Sequence, residues 1–109
     1  MRAATGEAME PEFKAATLPE VDRACQLAAT AFPVYAALPV ERRGAFLREI
    51  ATRIEALGDA LVERMMAESA LPQARVAGER GRTVNQLRMF ADLIEEGSWV
   101  DARIETALP

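Results

Sequence analysis

Apolar residues recur every three to four positions along most of this chain, a spacing that predicts amphipathic helices. The first run carries Val21, Ala24, Cys25, Ala28, Ala31, Phe32 and Tyr35, behind a Thr17 cap with Pro19 and Glu20 in the first turn. Pro33 interrupts that run near its end, so a break or kink is expected there. Pro39 opens a second run, with Phe46, Leu47, Ile50, Ile54 and Leu57 on its apolar stripe. Glu41, Arg43, Arg48, Glu49 and Arg53 fall on the opposite side and are expected to face out. Gly58-Asp59 either ends this helix and caps the next or kinks one long rod. A third run holds Leu61, Val62, Met65 and Met66, and the fourth and longest carries Val84, Leu87, Ala91 and Ile94. Pro72 suits the first turn of that last helix, and Gly97 suits its left-handed end.

The pattern therefore predicts an all-α unit of three to four packed helices near 18–35, 39–57, 59–70 and 72–96. Its expected core is Val21, Cys25, Ala28, Phe32, Phe46, Leu47, Ile50, Ile54, Leu61, Met65, Val84, Leu87, Ala91 and Ile94. Residues 1–16 read as an extended arm with a turn near Thr5-Gly6, and residues 17–97 as one helical body. Residues 98–109 contain Trp99, Val100 and Ile104 in a tail expected to be irregular or strand-like, with no partner strand in the sequence.

Two glycines stand inside the longest helical pattern. Gly78 and Gly81, with Ala74 and Asn85, form a strip without bulky side chains, where another backbone or a ligand can come close. Each glycine costs about 1 kcal/mol relative to alanine in a helix interior. Beside the strip run Arg75, Glu79 and Arg82, spaced so that Glu79 reaches either arginine across one turn.

Composition narrows the chemistry. The chain has 109 residues, enough for one modest core that hides about 65% of the unfolded surface. Half the residues are apolar but only 6% are aromatic, and much of the rest is alanine, which suits close-packed helices. A net charge of −4 lacks the basic footprint of a nucleic-acid binder. No run of apolar residues is long enough for a membrane span, and the start has no signal-peptide core, so a cytoplasmic protein is expected. Histidine is absent, which removes the commonest general base and metal ligand. Cys25 is the single cysteine; it sits among alanines and is expected to be packed rather than reactive.

Several stretches carry a resemblance. ATGEAMEPEF resembles the early hairpin segment of aldehyde dehydrogenases. The stretch from Val21 to Ser69 is similar to that family's first helices, an alanine-rich helix ending in AF-x-x-Y, then a Pro-x-E-R start, then a glutamate at Glu68. ER-x-RT-x-x-QLR-x-FA, from Glu79 to Ala91, resembles the α-ketoglutaric semialdehyde dehydrogenase branch. One departure stands out, because Ser69-Ala70 occupy a place where the family usually carries a glycine.

The resemblance implies an N-terminal helical segment of an enzyme that oxidises an aldehyde with NAD or NADP. It also implies that the catalytic cysteine, the general base and the cofactor turn lie outside this chain, which then holds no catalytic, cofactor or metal residue and is expected to be inactive alone. The remainder of an aldehyde dehydrogenase domain is its implied partner. By the same resemblance, Gly78, Arg82 and Gln86 line the substrate entrance, with Arg82 holding a substrate carboxylate. The other reading of the residues is a small helical module that binds itself or a partner through the Ala74, Gly78, Gly81 strip and the Met65, Met66 pair.

Overall fold

The computed structural model describes residues 1–104, which form four helices and one 3-10 turn, with no strand among them. The helices are α1 (Leu18–Ala36), α2 (Val40–Ala56), α3 (Gly58–Ser69) and α4 (Gln73–Glu96), and the turn is Ser98–Val100.

The centre is the seam between α2 and α4. Gly44 and Ala51 are buried on α2, and Val84 and Ala91 on α4, each pair at heptad spacing and so on a single stripe. Three of these four residues are glycine or alanine, which lets the helices approach closely. At Gly44 the side chain of Glu95 fills the place of a Cβ, its Cδ only 2.8 Å from where that atom would be. Leu47, Ile50, Ile54, Leu87 and Ile94 flank the stripe, half-buried. Val76 on α4 and Val62 on α3 complete the buried set.

Arginines bridge the seam. Arg48 donates to Asp92 at 2.7 Å and to Glu95 at 2.8 Å. Arg88 donates to Glu55 at 3.0 Å, and Arg80 to the backbone carbonyl of Gly58 at 2.7 Å. Position rises along one helix as it falls along the other, so α2 and α4 run antiparallel. Arg48 was expected to face out; it turns across to α4 because two carboxylates stand opposite it.

Local chemistry ends each helix. Glu20 accepts hydrogen bonds from the Thr17 N–H at 2.7 Å and the Thr17 hydroxyl at 2.8 Å, closing the start of α1. These bonds hold its carboxyl below the usual range. Helix α1 does not break at Pro33 but runs through it to Ala36. Proline this near the end removes one backbone donor without ending the last turn. The α2–α3 joint lies at Leu57-Gly58, where Gly58 has φ +55° and its carbonyl meets Arg80. Ala70 closes α3 at φ +59°, its N–H bonded to the Met66 carbonyl at 2.9 Å. That is the left-handed conformation in which glycine is at ease, at the place where Ser69-Ala70 depart from the family pattern. Gly97 closes α4 at φ +81°.

The N-terminal arm makes its turn where expected, with the Gly6 N–H on the Arg2 carbonyl at 2.8 Å. It is also tied to α3. Ala3 donates to the Ala67 carbonyl at 2.9 Å, and Arg64 donates to the Glu10 carbonyl at 2.7 Å. The Arg64 guanidinium lies 5.6 Å from the Phe13 ring centre and pairs with Glu68.

Of the two forms expected for the tail, the described part takes the irregular one: Ser98–Val100 form a 3-10 turn and residues 101–104 have no regular structure, while residues 105–109 lie outside the described residues. Two expectations fail. Phe46, expected in the core, is half exposed. Most of all, no residue of α1 is buried: Val21, Cys25, Ala28 and Phe32 are all exposed, and α1 meets α2 through the Tyr35 and Phe46 rings, 5.7 Å apart and edge-on. An apolar stripe records that a face needs cover, and among the described residues nothing buries the α1 face.

The dimensions agree. The radius of gyration is 20.1 Å, against about 13 Å for a compact chain of this length. The accessible surface is 8996 Å², against about 6,000 Å² for a compact monomer of this mass. The chain thus hides about half of its unfolded surface, not the expected 65%.

Candidate functional site

Helix α4 presents two faces. Val76, Val84 and Ala91 point into the seam. Gly78, Arg82 and Gln86, spaced one turn apart, fall on the opposite side. Arg82 and Gln86 are exposed there, and a Cβ added at Gly78 would meet nothing within 4 Å. The same is true at Gly81. The glycine strip therefore touches no other backbone among the described residues.

Glu79 organises the charges on this face. It accepts from Arg82 Nε at 3.0 Å and Nη2 at 2.8 Å, and it pairs with Arg75 at 2.7 Å. The Arg82 hydrogen bond comes first among the causes that hold the Glu79 carboxyl below its usual range. One carboxylate between two arginines leaves one positive charge over. The Arg82 side chain remains 66% exposed, with guanidinium N–H groups available to an anion. Further along the same side stand Met89 and Leu93, both exposed. The face thus offers open backbone at Gly78, a held cation at Arg82, an amide at Gln86 and apolar surface beyond. It can seat an anionic head with an apolar stem. The described residues contain no cluster of three metal-binding side chains.

The family resemblance singled out Gly78, Arg82 and Gln86, and α4 carries them on one side. The sequence pattern did not reveal the cross-helix work of Arg48, Arg80 and Arg88, because spacing within one helix says nothing about the partner. Their only local signal is position at the border of an apolar stripe.

Comparison with known proteins agrees with this frame. The aldehyde dehydrogenase family model matches residues 2–106. Alpha-ketoglutaric semialdehyde dehydrogenase 2 of Azospirillum brasilense is 52% identical over 99 residues, covering 91% of this chain and 19% of that protein. Alpha-ketoglutaric semialdehyde dehydrogenase of Acinetobacter baylyi is 48% identical over 97 residues, covering 89% of this chain and 18% of that protein. The chain spans less than a fifth of the length of these relatives. On a family match that runs almost from end to end, the chain belongs to the aldehyde dehydrogenase family.

Proposed function

We infer that this chain is the N-terminal helical segment of an NAD(P)-dependent aldehyde dehydrogenase that oxidises α-ketoglutaric semialdehyde to the acid. In this reading, Arg82 receives the carboxylate of the substrate at the mouth of the site. Gly78 leaves width beside it, and Gln86 adds a hydrogen bond. The catalytic cysteine, the base and the nicotinamide cofactor, which takes the hydride, belong to the rest of the enzyme. The chain alone is inactive, works in the cytoplasm and engages neither nucleic acid nor membrane.

The supporting observation is the Arg75–Glu79–Arg82 row. Glu79 fixes the Arg82 guanidinium, while Arg75 offsets the charge of Glu79, so a positive site stands ready on an open face. A carboxylate must not lose its water without such a partner. In the full-length enzyme, Arg82→Met should lower kcat/KM for the acidic semialdehyde roughly ten- to a hundredfold. An uncharged aldehyde of equal length should be unaffected. Equal loss on both substrates would refute the role.

The second reading, a self-associating helical module, draws on the apolar surface that α1 leaves open. Light scattering across concentrations tests it, since a monomer at every concentration ends it.

A further inference from the structure

Glu79 divides its two oxygens between the arginines beside it. Oε1 takes Arg75 at 2.7 Å, and Oε2 takes both Nε and Nη2 of Arg82, at 3.0 and 2.8 Å. A guanidinium carries five N–H groups in one plane. Two of those on Arg82 are spent on Glu79. The other three, on Nη1 and the far side of Nη2, form an open edge that a second carboxylate can meet with both its oxygens.

Gln86 stands one turn further along α4, exposed on the same side. Side chains on a helix lean toward its N-terminus, so Gln86 covers the turn that carries Arg82. Gln26 on α1 shows what a glutamine does there when an acceptor waits, since its amide N–H donates to Asp22, one turn back, at 2.7 Å. Behind Gln86 the corresponding residue is Arg82, which has donors only. Two sets of donors therefore border one turn, about 5.4 Å apart along the axis. Next on the same side come Met89 and Leu93, both exposed.

The order along the helix is cation, amide donor, apolar surface. A ligand that fits it has the complementary order: a carboxylate, a second acceptor beside it, then a carbon chain. With hydrogen bonds of about 2.9 Å at each end, a carboxylate and a keto group on the next carbon span a turn of this rise. We propose that Gln86 is a specificity-determining residue, whose amide N–H donates to the keto oxygen of an α-keto acid held by its carboxylate on the open edge of Arg82. Arg82 selects for charge and Gln86 for the neighbouring carbonyl, so the face favours α-keto acids over plain acids of the same length. This rests on the proposed role of Arg82 and adds to it the group that Gln86 reads.

The test compares three aldehydes of equal length in the full-length enzyme. They are α-ketoglutaric semialdehyde, glutaric semialdehyde, which lacks the keto group, and pentanal, which lacks the charge as well. Gln86→Met keeps the length and helix propensity of the side chain and removes both donors. It should lower kcat/KM for the keto acid about tenfold, through KM and at unchanged kcat, since the lost hydrogen bond is made in ground and transition state alike. Glutaric semialdehyde and pentanal should be unaffected. Binding without chemistry should repeat the pattern: α-ketovalerate should inhibit the parent more strongly than valerate, and Gln86→Met should bring the two together. Equal loss on both acids would make Gln86 a general support of the site and overturn the inference; no loss on either would overturn it too. If Gln86→Met treats the acids alike while Arg82→Met weakens both and spares pentanal, only this inference falls. If Arg82→Met spares both acids, or weakens pentanal as much, the carboxylate site itself falls and takes this inference with it.

Discussion

The α2–α4 seam and helix α1 began as the same kind of sequence, an apolar stripe at helical spacing. They end in opposite conditions. The seam buries Gly44, Ala51, Val84 and Ala91, and arginines lie across it. Helix α1 buries nothing. The difference lies in what stands opposite. Helices α2 and α4 each find a complementary stripe within reach, including small residues that let the two backbones close up. Helix α1 has its Tyr35–Phe46 contact and open surface beyond. Periodicity is a property of one helix, whereas burial is a property of two.

The sharpest way to break this contrast is to place one charge on each side of it. Val84→Asp puts an unpaired carboxylate in the buried seam and should cost about 3 kcal/mol or more in urea unfolding. Val34→Asp on α1 of the isolated chain should stay within about 0.5 kcal/mol of the parent. Similar losses from both would mean that α1 is packed after all.

A smaller and opposite effect is expected at the α3–α4 corner. Ala70 holds a left-handed backbone at φ +59°, so Ala70→Gly should stabilise the chain by about 0.5–1 kcal/mol, read as a higher urea midpoint. A lower midpoint would show that the corner carries no such strain.

Acid should act mainly on the seam. Hydrogen bonds from Arg48 and Arg88 hold the Glu95 and Glu55 carboxyls below the usual carboxylate range. A carboxyl whose folded pKa is lowered adds stability above its unfolded pKa and loses it as pH falls through the folded one. Circular dichroism should therefore show a gradual loss of stability as pH drops below about 4.5, reduced in the Arg48→Met variant. An unchanged acid profile in that variant would remove the Arg48 cluster from the account.

Much of the helix map was legible because helix ends are local events. Thr17 with Glu20, Pro39, Pro72 and Gly97 each act within a turn of themselves, and the observed helices begin and end within a residue or so of those expected. The core was legible only in part. The large residues Phe32 and Phe46 were assigned to it by size and period, yet they are exposed. Gly44, Ala51 and Val76 lie outside the expected core, yet they are buried. In a close helix pair the deepest positions belong to residues that take up little room. Gly78, Arg82 and Gln86 were singled out by the family resemblance; one-turn spacing adds only that they share one side of α4. The clasp of Arg48 on Asp92 and Glu95 was not legible, since those residues lie more than forty positions apart.

The arginine bridges have a mechanical consequence. Arg48 with Glu95, Glu55 with Arg88, and Gly58 with Arg80 engage in order along the antiparallel seam. Sliding α4 by one turn, about 5.4 Å, would part all three at once. The pair therefore behaves like a ratchet with a single tooth engaged: α4 keeps this register or leaves α2 altogether. A helix locked in register is locked in rotation too. The side on which Arg82 faces outward is thus set by contacts on the other side of the helix.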